Sequence, residues 1–160
     1  MIRSLEYEID HDLNTVFDHL ALGKDMGKWF SYKEIIEYSN KYDGDRCIGF
    51  VIKFKVEDII GCSENVVTSY EYGNEIRVRE TSLRLYDMEN HPIHLDTIHK
   101  SLVQRIRFFE TSGGTLIKHQ VYREGGGVIA WLMWHLHFFY AAKKDILRIA
   151  SDLNDYLNDT

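Results

Sequence analysis

Three polar residues lie where the hydrophobic pattern of their segments calls for apolar side chains. His119 lies between Ile117 and Val121 in strand phase, Glu80 continues the apolar face of another predicted strand, and His135 lies in the apolar stripe of a predicted helix. Such residues are normally found on wet faces, so their position here is informative. If all three point into one pocket, they can anchor a ligand hydroxyl or carbonyl, or transfer a proton with shifted pKa values.

The same residues also have a purely structural interpretation. A strand end or a β-bulge would place Glu80 in water, and a histidine on an apolar face is commonly satisfied by backbone groups. The sequence pattern is compatible with both interpretations.

Other familiar sites are not indicated. His91, His94 and His99 cluster around Pro92, but no regular helix or strand fixes the geometry that a metal ion needs. The glycines at 125–127 lack the Lys-Ser/Thr pair of a phosphate loop, and no serine has the surroundings of a nucleophile elbow. We therefore predict neither a metal nor a cofactor.

Length and charge limit the classes of protein to consider. The 160 residues are predicted to form one domain, 1–160. A net charge of −6 with scattered Lys and Arg gives no footprint for nucleic acid. Cys47 and Cys62 have no histidines at zinc-finger spacing and are expected to be reduced core thiols, with a single disulfide bridge as the alternative. The segment 1–10 lacks the basic and apolar runs of a secretory signal, so a cytoplasmic location is expected.

Hydrophobic periodicity predicts an α+β fold with an antiparallel sheet. Asp10 or Asp12 can cap a short helix that stops at Gly23, and a second short helix follows Asp25. The predicted strands are 2–9, 33–40, 46–57, 64–72, 75–86, 102–110 and 115–123. The stretch 87–102 is either a loop or a further strand pair.

The third predicted strand illustrates the alternation best. Charged side chains occupy one of its faces, as expected for an antiparallel strand with one wet side. Its other face is continuously apolar and consists of Ile48, Phe50, Ile52, Phe54 and Val56.

One long helix is predicted at the end of the chain, because no Gly or Pro occurs between 128 and 157. Its apolar stripe is expected to pack on the apolar face of the sheet. The stripe consists of Leu132, His135, Leu136, Phe139, Ala142, Ile146, Ala150, Leu153 and Leu157.

The start of this helix is also apolar on its other side, where Trp131, Trp134 and Phe138 lie. The apolar part is too short to span a membrane. The patch is either covered by 87–102 or exposed to a second subunit or a membrane surface, and a homodimer contact is the favoured interpretation.

The order of these elements resembles the START-related superfamily of polyketide cyclases and lipid transport proteins (SRPBCC), which has the helix-grip fold. The similarity spans 5–157 and is carried by the stretches 9–20, Trp29-Phe30, 44–49 and 125–127. It implies a curved sheet that wraps a long C-terminal helix and leaves a cavity for lipids, sterols or polyketides. The glycine-rich loop of the pollen-allergen-like branch is denser than Gly44 and Gly49, so that branch's ligand preference is not carried over.

The resemblance and the polar residues together predict a carrier or sensor for an apolar small molecule. Its cavity is expected to be lined by Trp29, Phe50, Phe54, Phe108, Leu132, Leu136 and Phe139, with Glu80, His119 and His135 as polar anchors. The alternative is a cyclase, dehydratase or isomerase in which a histidine moves a proton and Glu80 orients it. A third hypothesis is a protein-interaction module at the aromatic start of the last helix.

Overall fold

The computed structural model describes residues 3–31, 33–93, 102–123 and 139–160, without the side chains of Arg3, Arg123 and Phe139. In chain order the elements are β1 (Arg3–Ile9), α1 (Leu13–Leu20), α2 (Met26–Trp29), β2 (Glu34–Asp43), β3 (Arg46–Val56), β4 (Ile59–Glu71), β5 (Glu75–Asp87), β6 (Pro92–Ile93), β7 (Leu102–Glu110), β8 (Thr115–Arg123) and α3 (Phe139–Asp159).

The strands form one eight-stranded antiparallel sheet in the order β1-β8-β7-β5-β4-β3-β2, with β6 paired to β5. Most neighbours are joined by hairpins, but β1 lies beside β8, the last strand of the described residues. The predicted α+β class is confirmed, with short helices after the first strand and a helix at the C-terminal end.

The boundaries of α1 follow from its flanking residues. Asp12 is the N-cap, and its Oδ1 accepts a hydrogen bond from the backbone N–H of Thr15 at 3.0 Å. Gly23 follows the helix with a φ of 68°, and a Cβ at this position would lie 2.3 Å from Cζ of Tyr38. Both the left-handed backbone and the ring of Tyr38 therefore require glycine here.

The hairpin between β3 and β4 differs from the prediction. The strand expected from residue 64 begins at Ile59, because a tight turn with Glu57 at a φ of 51° joins β3 directly to β4. No Gly or Asn marks this turn in the sequence, so the usual signal for a hairpin is missing.

Strand β2 ends the sheet and is irregular. Its register with β3 shifts between Ile35 and Glu37 and again between Lys41 and Tyr42. The second shift lies opposite Ile48, which is 41% exposed. The prediction that Ile48 shares the apolar face was wrong, because the bulge turns this residue outward.

Within 87–102, the dipeptide Pro92–Ile93 forms β6 opposite Leu85 and Tyr86. Residues 94–101 lie outside the described residues.

Helix α3 packs mainly against β1 and α2. Its buried side chains are Ile146, Ala150, Leu153 and Leu157, which confirms this part of the predicted stripe. Asp152 ties the helix to the loop after α2, because its Oδ2 accepts hydrogen bonds from the backbone N–H and the hydroxyl of Ser31 at 3.0 and 2.6 Å. The predicted start of the helix, 128–138, lies outside the described residues.

The core lies between α1, α3 and one end of the sheet face that these helices cover, which we call the inward face. Phe17 on α1 is fully buried, and its ring centroid lies 4.8 Å from that of Phe108 and 6.0 Å from that of Tyr70. We call this region the packed end. It comprises Ile9, Val16, Phe17, Ile76, Ile106, Phe108, Ile117, Leu153 and Leu157.

Candidate functional site

The other end of the inward face, on β3, β4 and β5, mixes apolar and polar side chains. Side chains directly opposite one another in antiparallel strands lie on the same face. The register places Phe50, Asn65 and Glu80 in one row and Ile52, Ser63 and Leu83 in the next. We call these residues the polar end. Ser63 is buried and the others are half-buried.

A β-bulge in β5 shapes the polar end. The pairing of β4 with β5 skips Thr81, whose hydroxyl donates a hydrogen bond to the backbone carbonyl of Glu64 at 3.1 Å. Glu80 therefore faces inward before the bulge, and Leu83 faces inward after it. A β-bulge is present beside Glu80, but it does not turn the carboxyl group toward the solvent.

The carboxyl group of Glu80 lacks a partner for one oxygen. Its Oε1 is buried, and no described residue donates a hydrogen bond to it. Asn65 lies directly opposite Glu80, but its Nδ2 donates to the hydroxyl of Ser63 at 2.9 Å. Burial raises the pKa of Glu80 to about 7, and the positive charge of Lys33 only partly offsets this rise.

Lys33 connects Glu80 electrostatically to α3. Its Nζ lies 4.2 Å from the ring centroid of Phe54, a distance suited to a cation–π interaction. Burial lowers the pKa of Lys33, whereas the charges of Asp145 and Glu80 raise it. Burial also raises the pKa of Asp145 on α3, against the effect of Lys33. The ammonium group of Lys33 thus acts on two carboxyl groups, that of Glu80 on strand β5 and that of Asp145 on helix α3.

Phe54 reaches this position because the residue opposite it is Gly61. A Cβ on Gly61 would lie 2.2 Å from Cζ of Phe54, so any side chain there would displace the ring. The glycine therefore provides the space in which the ring lies beneath the ammonium of Lys33.

His119 belongs to a different, fully satisfied network. Its Nε2 lies 2.9 Å from Oε1 of Gln104, and its Nδ1 lies 3.5 Å from the hydroxyl of Tyr7. Because the amide oxygen of Gln104 can only accept, Nε2 carries the proton and Nδ1 accepts from Tyr7. Burial lowers the pKa of His119 to about 4 and raises the pKa of Tyr7, so both groups are neutral near pH 7.

The structure does not bring Glu80 and His119 together. Across the sheet His119 is level with Ile106 and Ile76, and Glu80 lies four residues beyond Ile76 and two strands away from β8. At the usual strand rise and spacing this separation is about 16 Å. A direct proton relay between the two residues is therefore excluded in this conformation.

Solved structures similar to this chain cover nearly its whole length. NE0264 from Nitrosomonas europaea is 13% identical with a TM-score of 0.64, and the match covers 99% of this chain and 97% of that one. Ara h 8.0201 is 10% identical with a TM-score of 0.62 and coverage of 100% and 99%. The Aha1 dimer from Colwellia psychrerythraea is 12% identical with a TM-score of 0.57 and coverage of 96% and 98%.

The chain has the helix-grip fold. No protein-family model and no curated protein matches it. At such low identities the structural likeness establishes the fold alone and leaves the ligand open.

The residues predicted to line a cavity fall into separate regions of the helix-grip fold. Phe50 and Glu80 belong to the polar end, and Phe54 lies in the adjacent row of the same face. Phe108 packs against Phe17 in the core. Trp29 is also in the core, where its indole N–H donates to the backbone carbonyl of Lys24 at 2.9 Å.

The remaining predicted residues are in the undescribed part of the chain. Leu132, His135 and Leu136 lie outside the described residues, as does the side chain of Phe139. The proposed interface residues Trp131, Trp134 and Phe138 lie there too.

The structure describes both cysteines and one of the three histidines that were considered as metal ligands. Both Cys47 and Cys62 are free thiols. His91 is exposed and its Nδ1 lies 3.2 Å from Oδ2 of Asp87, while His94 and His99 lie outside the described residues. In the described ranges, no three His, Cys, Asp or Glu residues converge on a metal position.

No helix of the described ranges is long and apolar enough to cross a membrane.

The predicted site lacked Ile52 and Leu83 of the polar end and four polar residues, Lys33, Ser63, Asn65 and Asp145. Asn65 has the phase of Val67 within the predicted strand 64–72, and a strand begun at Ile59 would have placed Ser63 on the same inward face. Lys33 and Asp145 have no comparable signal, because Lys33 comes near Glu80 and Asp145 comes near Lys33 only through the packing of distant segments.

Proposed function

We propose that the chain binds an apolar small molecule at the polar end and acts as a carrier or sensor. The supporting observation is the composition of this end: half-buried apolar side chains share two rows of the inward face with Glu80, whose buried Oε1 no described residue satisfies. Ligand sites in proteins are mostly apolar with a few polar groups that orient the ligand.

The affinity for a ligand would come mainly from the burial of apolar surface. Phe50 and Ile52 are successive inward residues of β3, Leu83 of β5 lies in the row of Ile52 on the far side of Ser63, and all three keep part of their surface exposed. Covering apolar surface yields about 25 cal/mol per Å², from which the costs of association are subtracted. An extended apolar body therefore suits this surface better than a small polar molecule.

Native mass spectrometry with fatty acids, sterols and polyketides tests this proposal. We expect a one-to-one adduct with at least one class, and its loss in Ile52→Asn. Ile48→Asn is the matched control, because it makes the same change on the exposed side of the same strand. If no compound forms an adduct with the wild-type protein, or if both variants lose it equally, the proposal is wrong.

An enzyme of the cyclase, dehydratase or isomerase kind is the second candidate. It is favoured by the pKa of Glu80 at about 7, a value suited to proton transfer at neutral pH. Its proton partner would have to be a group other than His119. Turnover of polyketide-like substrates that Glu80→Gln abolishes without weakening substrate binding would support an enzyme. Unchanged turnover in this variant would remove Glu80 from the mechanism.

We propose in addition that two copies associate through Trp131, Trp134 and Phe138. One of the similar solved structures, that of Aha1 from Colwellia psychrerythraea, is a dimer. Sedimentation velocity of the wild-type protein and of Trp134→Glu tests the idea. A dimer that becomes a folded monomer supports it, and a wild-type monomer at high concentration overturns it.

A further inference from the structure

We infer that the polar end selects apolar ligands whose polar group donates a hydrogen bond, such as an alcohol or a protonated amine, over ligands that end in a carboxylate. This inference rests on the proposed binding function and specifies the ligand class. It follows from the acceptor that Glu80 presents and from the charges around it.

The first argument is the unsatisfied acceptor. Oε1 of Glu80 is buried without a donor among the described residues, and the amide of Asn65 opposite it donates to Ser63. A buried acceptor without a donor has lost its water and gained nothing in return. A ligand that donates to this oxygen restores the missing hydrogen bond, whereas a ligand that only accepts leaves it unsatisfied.

The second argument is the balance of charge. Two carboxyl groups, those of Glu80 and Asp145, share the field of one ammonium group, that of Lys33. Lys144 and Arg148 also act on Asp145, but both are exposed. A ligand carboxylate would add a further negative charge to a half-buried surface that already carries two acidic groups. A protonated amine would meet carboxyl groups instead.

Four probes with the same twelve-carbon body test the inference: 1-dodecanol, dodecylamine, dodecanoate and methyl dodecanoate. Their affinities are measured by displacement of Nile red, a neutral apolar dye, at moderate salt and at pH 8.5, where Glu80 is ionised and the amine is still protonated. We expect the alcohol and the amine to bind at least about tenfold more tightly than the carboxylate and the methyl ester, the usual effect of one hydrogen bond to a buried charged group.

Two substitutions of Glu80 separate the alcohol from the amine. Glu80→Gln keeps an acceptor oxygen but removes the charge and adds an N–H donor, so the amine should lose its advantage while the alcohol keeps its affinity. Glu80→Leu removes both, so all four probes should bind within about threefold of one another.

Glu64→Leu is the matched control for Glu80→Leu. Glu64 lies on the opposite face of the neighbouring strand, where it pairs with Arg84. Both substitutions remove one negative charge from a chain of net charge −6, so they change the general attraction for amines equally. The control should keep the wild-type order of the probes.

The outcomes distinguish this inference from the proposed function. If dodecanoate binds as tightly as dodecanol, the selectivity is refuted while apolar binding stands. If Glu64→Leu abolishes the preferences as Glu80→Leu does, the selectivity is a bulk charge effect and the inference is wrong. If neither Nile red nor any probe binds, the proposed function fails and the inference fails with it.

Discussion

The two ends of the inward face share strand β5 but differ in the kind of side chain that they bury. At the packed end, apolar side chains from β1, β5, β7 and β8 meet α1 and α3, and Phe17, Ile76 and Ile117 are fully buried. At the polar end, Glu80 replaces the next apolar residue of β5, and its oxygen lacks a donor among the described residues. The packed end thus stabilises the fold by burying apolar side chains. The polar end lowers the stability because it buries an unsatisfied carboxyl oxygen, as functional sites commonly do.

The largest expected contrast is in the cost of removing an aromatic ring from each end. Phe17→Ala should lower the free energy of unfolding by about 3–5 kcal/mol, because the fully buried ring leaves a cavity in a close-packed core. Phe50→Ala should cost about half as much, since the half-buried ring of Phe50 leaves an opening that water can fill. Urea denaturation of both variants measures the difference. Equal losses would mean that the polar end is packed like the core.

The next contrast concerns His119 and acid. In the unfolded chain its pKa is near 6.5, whereas in the folded protein it is lowered to about 4, so the unfolded state binds the proton first as the pH falls. Stability should therefore decrease by up to about 3 kcal/mol between pH 6.5 and pH 4. His119→Gln should lack this part of the decrease.

Denaturation of wild type and His119→Gln at several pH values tests this. His91→Gln is the control, because His91 is exposed and its loss should not alter the pH dependence in the same way. A parallel decline of wild type and His119→Gln would show that the imidazole is not protected by the core.

Glu80 should act in the opposite direction and somewhat more weakly. Its pKa is raised from 4.5 to about 7, so the folded state holds the proton more tightly. The stabilising contribution is complete below pH 4.5 and is lost as the pH rises through 7. Allowing for partial exposure, the loss is about 2 kcal/mol.

Glu80→Gln should therefore gain stability relative to wild type between pH 4.5 and pH 8, whereas the control Glu64→Gln should not. Denaturant midpoints across this range are the measurement. If wild type and Glu80→Gln keep a constant difference, the carboxyl group is better solvated than its buried position implies.

Local patterns predicted the packed end well. The cap at Asp12, the glycine stop at Gly23 and the apolar spacing of α1 follow from rules that act over a few residues. The buried positions of α3 follow from the helical period, and the alternation of β5 correctly placed Glu80 on the inward face.

The polar end was predicted less well, since it depends on a turn, a β-bulge and a tertiary contact that local sequence patterns do not indicate. The turn at Glu57 carries no glycine, so Ser63 was placed outside its strand. The bulge at Thr81 changes the phase of β5 without a sequence signal. The approach of Lys33 to Glu80 depends on how distant segments pack, and charge patterns cannot specify that.

The irregular pairing of β2 bears on how the molecule avoids aggregation. As the last strand of the described sheet, β2 offers backbone groups to which a strand of another molecule could hydrogen-bond. Its two register shifts interrupt that edge, and charged residues such as Glu34 and Lys41 make strand addition less favourable. We therefore expect that self-association of this chain does not proceed by continuation of the sheet across β2, and that fibrillar growth from this edge is disfavoured.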